Sequence, residues 1–188
     1  IGRTLLDDVL CSRRGKPFLF PSMFVSDGDA RGDYHTGSNI VAWKAFLSMG
    51  RLAREVYDDP EAGEEGTRGA AKRRDDIRTH CSGVGPLGRQ FFEGATDSRA
   101  FITGHDGEES DTTLAPFYGF CSSDDPALIR HARLAMTPMN PFYSKDLDAI
   151  WWLNEKWGSA TFPGWMTALA GARDETEIAA RLFRIRQL

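Results

Sequence analysis

Ser38-Asn39-Ile40-Val41-Ala42-Trp43-Lys44-Ala45-Phe46-Leu47-Ser48-Met49-Gly50-Arg51-Leu52-Ala53-Arg54-Glu55-Val56 is the stretch on which the reading of the fold turns. Ala42, Ala45, Phe46, Met49, Leu52, Ala53 and Val56 recur at helical spacing, which gives one apolar face. Ser38 or Asn39 supplies an N-cap, and the pattern stops before Asp58-Asp59-Pro60. Upstream, residues 1–10 read as the end of a helix on Leu5, Leu6, Val9 and Leu10, and 25–37 as a polar, glycine-studded loop. Downstream, 58–69 is acidic and glycine-rich and reads as a loop or as disordered. A charged helix is expected over 69–81 and is broken by the glycines of 83–88. Asp125 followed by Pro126 is an N-cap with proline at N1. Leu128, Ala132, Ala135 and Met136 then form an apolar face. A short helix over 164–170 ends at Gly171. Asp174-x-x-Glu177 resembles a capping box and opens a last helix with the stripe Ile178, Leu182, Ile185. Strand signals are confined to 17–25 and 100–103. The expectation is an all-α fold whose long polar, aromatic loops carry function.

Composition narrows the classes. The chain has 188 residues, 41% apolar and 27% charged, with a net charge of −4. This is ordinary globular composition, and it leaves no basic footprint for nucleic acid or an anionic membrane. No apolar run approaches the roughly 18 residues of a membrane span. Without a start methionine or signal-peptide pattern, the N-terminus says nothing of the compartment, and the chain reads as an excised segment. Oligomeric state is likewise unread. Cys11, Cys81 and Cys121 are an odd, widely spaced set with no zinc spacing, and read as buried free thiols. No two of His35, His80, His105 and His131 share a metal-ligand spacing, so neither metal nor cofactor is expected. His80 and His131 read as helix-surface or packing residues.

The chemistry-bearing residues are carboxylates beside aromatics. One cluster is Asp27-Gly28-Asp29, followed by Asp33-Tyr34-His35; the other is Asp106-Gly107-Glu108-Glu109-Ser110-Asp111. The first has calcium-loop character, but Arg31 and Ser38 stand at the positions for a fifth-place ligand and a bidentate Glu, which disfavours a calcium ion. Arg31-Gly32-Asp33 is an adhesion-type tripeptide of a kind that arises by chance. In the second cluster, adjacent carboxylates repel, so burial raises the pKa of at least one. A raised carboxyl can serve as a general acid near neutral pH; the same residues in water are an exposed turn. His35 and His105 lie beside these clusters, where they could bind a hydroxyl. Five Trp and twelve Phe offer flat faces on which either sugar rings or other helices pack.

Several of these pieces occur in an order similar to that of glycoside hydrolase family 125. Ser26-Asp27-Gly28-Asp29-Ala30, Tyr34 and Gly37-Ser38-Asn39 resemble its acidic loop and helix start. Asp111 through Leu114-Ala115-Pro116-Phe117-Tyr118-Gly119-Phe120 to Asp124-Asp125-Pro126, then Asn140-Pro141-Phe142-Tyr143 and Pro163-Gly164-Trp165-Met166-Thr167-Ala168-Leu169, are similar to later segments. The resemblance covers 21–57 and 105–185 and leaves 58–104 as a divergent, insertion-like region of a single domain. It implies a metal-independent exo-α-mannosidase fold, an (α/α)6 toroid of helical hairpins of which this chain is about half. It implies a glycan substrate and a general acid at Asp29, with Asp27 the competitor because Gly28 separates the two. Residues 106–111 would line the sugar pocket. Tyr34, His35, Asn39, Asp106 and Asp111 would bind hydroxyls, and Trp151 or Trp152 would stack on the ring. The base would come from Glu108 or Glu109, or from a segment beyond Leu188, in which case this polypeptide alone is inactive. The rival expectations are a non-catalytic carbohydrate-binding or scaffold protein, and a polysaccharide lyase using Tyr34 or His35 beside Arg31.

Overall fold

A computed structural model describes residues 17–21, 34–96, 100–105, 107, 111–146, 148–150 and 162–187. The expected first helix is present as α1, Thr36–Glu55. Its cap lies three residues before Ser38, the earlier of the two expected positions. His35 occupies the N-cap and its ring accepts the Ser38 N–H, a role that Ser, Thr, Asp or Asn usually fills. The next segment corrects the sequence reading. Residues 60–69 are not a loop but the first half of a long helix, α2, Pro60–His80. Asp59 caps it by accepting from the Ala62 N–H, and Pro60 stands at its start.

Glycine, which reads as a breaker, is here a packing device. A β-carbon on Gly66 would lie 2.8 Å from the Gly50 Cα and 2.9 Å from the Phe46 carbonyl oxygen. One on Gly69 would lie 2.7 Å from the Phe46 ring. The two helices therefore pack backbone against backbone. Arg54 bridges them by donating to the Gly63 carbonyl at 2.7 Å and the Thr67 hydroxyl at 3.0 Å. Gly66→Ala is expected to destabilise the protein by about 1–3 kcal/mol through overpacking, against the roughly 1 kcal/mol that alanine gains in helix propensity. Chemical denaturation reads this directly, and an unchanged midpoint would mean that the helices separate at little cost.

The all-α toroid expected from the sequence does not describe this structure, which is mixed α/β. Five α-helices are joined by three small antiparallel sheets among the described residues. Strands β1 (Tyr34–His35), β4 (Gly94–Ala95) and β5 (Phe101–Ile102) form one sheet in the order β1-β4-β5. β2 (Ser82–Gly85) and β3 (Gly88–Phe91) form a hairpin, and β6 (Tyr143–Ser144) pairs with β7 (Ala149–Ile150). Strand β5 falls within the expected 100–103; the other strands escaped the sequence reading because they are two to four residues long, too short for a period-2 alternation to register. The β2–β3 hairpin also reads as a glycine-rich interruption. Its Gly88 takes a positive φ of 105°, the backbone state that glycine adopts without steric cost.

The later helices follow the sequence closely. α3, Pro126–Ala135, is capped by Asp125, and it buries Leu128, Ala132 and Ala135. α4 spans Phe162–Ala170 and stops at Gly171. α5, Glu175–Ile185, is capped by Asp174, which accepts the Glu177 N–H at 2.9 Å. The expected inward stripe of α5 is different: Ile178 and Leu182 are exposed, while Arg181 is buried and paired with Glu177 at 2.8 Å. The main core joins Phe18, Leu19 and Phe120 to Ile40, Trp43 and Phe46 of α1, Ile77 of α2, Phe91 of β3 and Leu128 of α3. Burial pushes the Cys81 thiol up to about 12 and the Cys121 thiol up to about 11, so both are unreactive at neutral pH.

Candidate functional site

The polar centre of the molecule is Glu93, a residue the sequence reading passed over. It lies between β3 and β4, in the turn that brings the chain back beside β1, and the Thr36 N–H donates to its carbonyl at 2.9 Å. The residue is 4% exposed, and its carboxylate faces three ring nitrogens and one backbone N–H. The His35 Nε2 lies 2.7 Å from Oε1, the His105 Nδ1 2.6 Å from Oε2 and the His131 Nε2 3.2 Å from Oε2. The Thr112 N–H adds a longer bond to Oε1 at 3.3 Å. Burial alone would raise the Glu93 pKa, but the charge of His105 and the close approach of the His105, His131 and His35 rings hold it well below the usual carboxylate range. This is the expected balance for a buried carboxylate with several donors.

The hydrogen-bond directions can be assigned. The His35 Nδ1 accepts the Ser38 N–H at 2.9 Å, so its proton is on Nε2 and points to Glu93. The His131 Nδ1 lies 3.2 Å from the Phe91 carbonyl, which only accepts, so Nδ1 carries the proton. The Thr113 hydroxyl donates to Asp111 Oδ1. The hydroxyl of Thr167, 3.1 Å from that of Thr113, therefore donates to Thr113, and the His105 Nε2 donates to Thr167 at 2.8 Å. His105 thus sits between the Glu93 carboxylate and a hydroxyl chain that ends on Asp111.

Asp111 closes that chain. Its Oδ1 caps the 3-10 turn Thr112–Leu114 by accepting the backbone N–H groups of Thr113 and Leu114 at 2.6 and 3.2 Å. Its Oδ2 has no hydrogen-bond partner among the described residues and lies 3.8 Å from the His105 Nε2. Burial raises the Asp111 pKa, and the Glu93 charge adds to the rise against the opposing charge of His105 and the bond from Thr113. His105 is held by Asn140, whose carboxamide accepts the His105 N–H at 3.0 Å and the Phe142 N–H at 3.1 Å. The same carboxamide donates to the carbonyls of His105 at 2.7 Å and Ala135 at 2.9 Å. That uses every position an amide has. Asn140→Ala is expected to lower stability by about 2–4 kcal/mol, because several buried backbone groups lose their partner at once. Denaturant titration checks it, and a loss below about 1 kcal/mol would mean that water replaces the amide.

The structure gathers His35 and Asp111 into one buried network, together with His105. Tyr34 is buried in the core beside them. Asn39, expected to bind a hydroxyl, has all four amide positions taken by protein. It accepts from the Phe20 N–H and Arg73 and donates to the carbonyls of Phe20 and His35. Asp27, Asp29, Asp106, Glu108, Glu109, Trp151 and Trp152 lie outside the described residues. The sequence reading missed Glu93, because a lone Glu among Phe91, Phe92 and Gly94 carries no motif. It also placed His131 on a surface or in packing, whereas His131 joins His105 at the carboxylate. Spacing along the chain could not reveal this pair, since their partner belongs to a third segment.

No family model matches this chain, and no curated protein matches it in sequence. In structure it is similar to a metal-independent α-mannosidase of Streptococcus pneumoniae, solved as a non-productive substrate complex with α-1,6-mannobiose. The TM-score is 0.70 at 18% sequence identity, over 89% of this chain and 41% of that one. This chain therefore spans about two fifths of the mannosidase's length, and over that span it has the mannosidase's fold.

Proposed function

We propose that the chain is part of a glycoside hydrolase that cleaves an α-linked, mannose-containing glycan by acid/base hydrolysis. The observation that carries this reading is the fold shared with the α-mannosidase solved with α-1,6-mannobiose. The geometry of Glu93 supports it in a second way. Its carboxylate binds His35, which follows the acidic segment 26–33, and it binds His105 and the Thr112 N–H, which flank the acidic segment 106–111. One buried group thus holds described residues that border both carboxylate-bearing segments that the sequence singles out. Catalytic groups need such anchoring, because a misplacement of about 1 Å costs roughly 100-fold in rate.

In this reading Asp29 protonates the leaving oxygen and a second carboxylate activates water. Asp111 is engaged in capping the 3-10 turn, which leaves Glu108, Glu109 or a group outside this chain as the base. An inverting mechanism needs the two carboxyl groups about 6.5–9.5 Å apart. The test is incubation of the full-length protein with α-1,6-mannobiose, with product and anomeric configuration followed by proton NMR. Release of mannose is the expected result. Binding without hydrolysis would replace this reading with a carbohydrate-binding one, and absence of both would overturn it.

A further inference from the structure

We propose that Glu93, His105 and His131 form a structural binding site for a single divalent transition-metal ion. Their ligand atoms lie within 4.8 Å of one another, and all three side chains are buried. The case rests on the lone pairs. His131 carries its proton on Nδ1, given to the Phe91 carbonyl, so its neutral ring presents the Nε2 lone pair 3.2 Å from Glu93 Oε2. That nitrogen makes no hydrogen bond among the described residues, although the residue is only 3% exposed. His105 commits Nε2–H to the Thr167 hydroxyl, so its neutral ring presents the Nδ1 lone pair 2.6 Å from the same oxygen. Three electron pairs from three segments of the chain then face one point that water does not reach.

Only positive charge resolves that arrangement. Two added protons would do so, making both rings cationic, and one divalent ion carries the same charge. The surroundings favour the ion. Each candidate ligand is fixed by a hydrogen bond on its far side: His131 by the Phe91 carbonyl, His105 by Thr167, and Glu93 Oε1 by the His35 Nε2–H. Outer partners of this kind orient ligating histidines and raise their basicity. Two imidazoles and one carboxylate suit Zn²⁺ or a neighbouring first-row ion. The orphaned His131 Nε2 is then a ligand rather than an unsatisfied buried group. The ion would clip the β3–β4 turn, the segment after β5 and α3 together, away from any exposed surface. It is independent of the glycosidase reading, and a structural ion does not conflict with metal-independent catalysis.

The experiment uses the full-length wild-type protein. It is stripped with a chelator, reloaded with Zn²⁺ or Co²⁺, desalted, and its metal content measured. One equivalent of retained ion is expected, with a raised Tm and, for Co²⁺, visible ligand-field bands. Thr167→Val keeps the shape but removes the outer partner of His105, and should weaken binding about 10–100-fold. His131→Gln should abolish stoichiometric binding. No retained ion and no Tm change in the wild type would overturn the proposal, whether or not the variants fold. Equal binding by a folded His131→Gln variant would place the ion elsewhere and also overturn it.

Discussion

Glu93→Ala is expected to destabilise the fold by about 3–5 kcal/mol, the cost of removing one partner from a buried ionic cluster. The variant leaves the His35 Nε2–H and the Thr112 N–H without their acceptor and takes the carboxylate away from the His105 and His131 rings, in a region where water cannot substitute. Natural domains have only about 5–15 kcal/mol in total, so the variant is expected to be partly unfolded at 37 °C. Glu93→Gln is the sharper probe, because it keeps the shape while removing the charge. The pH dependence then identifies the cause. Glu93 has a depressed pKa when folded, so its contribution is present above the unfolded value near 4.3 and is lost as pH falls through the folded one. Asp111 has the opposite sign. Its folded pKa is raised, so stability declines as pH rises from about 3.9 toward the folded value. Wild-type stability should rise with pH across the acid range less steeply than Glu93 alone would dictate, and Glu93→Gln should remove the rise. A Gln variant with the wild-type acid limb would show that other carboxylates set it.

The same residue explains what the sequence could and could not reveal. Helices α1, α3, α4 and α5 were legible because their signals are local: helical periodicity, an Asp-Pro start, a terminating Gly171, the Asp174 cap. The first half of α2 was not, because Gly63, Gly66 and Gly69 read as breakers until α1 is present to pack against them. Glycine's cost in helix propensity is about 1 kcal/mol per residue, and close approach of α1 and α2 offsets it. That gain comes from tertiary contact, which a window along the chain does not contain. Apart from β5, the strands of the small sheets failed for a related reason, since a two-residue strand is defined by its partner rather than by its own pattern.

The polar centre divides in the same way. His35, His105 and Asp111 drew attention because they stand beside acidic clusters, which is a local property. Glu93 and His131 have no such neighbours. Residues 35, 93, 105 and 131 converge only after β1 pairs with β4 and α3 packs on the β2–β3 hairpin. Region 58–104, which the family resemblance left uncovered, therefore supplies the group that meets His35 of one covered part and His105 and His131 of the other. Asn140, noticed only as part of an Asn-Pro-Phe-Tyr turn, acquires its reason in the same geometry: it fixes the backbone of His105.

Asp29→Asn in the full-length protein is expected to lower turnover of α-1,6-mannobiose by about 10²–10⁴-fold, the usual worth of a general acid. Binding should change little, because asparagine keeps the size and hydrogen-bonding reach of the side chain but cannot release a proton to the leaving oxygen. The leaving group decides between this role and a structural one. An α-mannosyl fluoride departs without protonation, so its hydrolysis by the variant should stay close to the wild-type rate while the disaccharide rate collapses. A folding or positioning defect would depress both substrates together. Asp27→Asn is the companion measurement, because only Gly28 separates the two carboxylates. If the fluoride-selective signature follows Asp27 instead, the acid is Asp27; if neither variant shows it, neither Asp27 nor Asp29 supplies the proton.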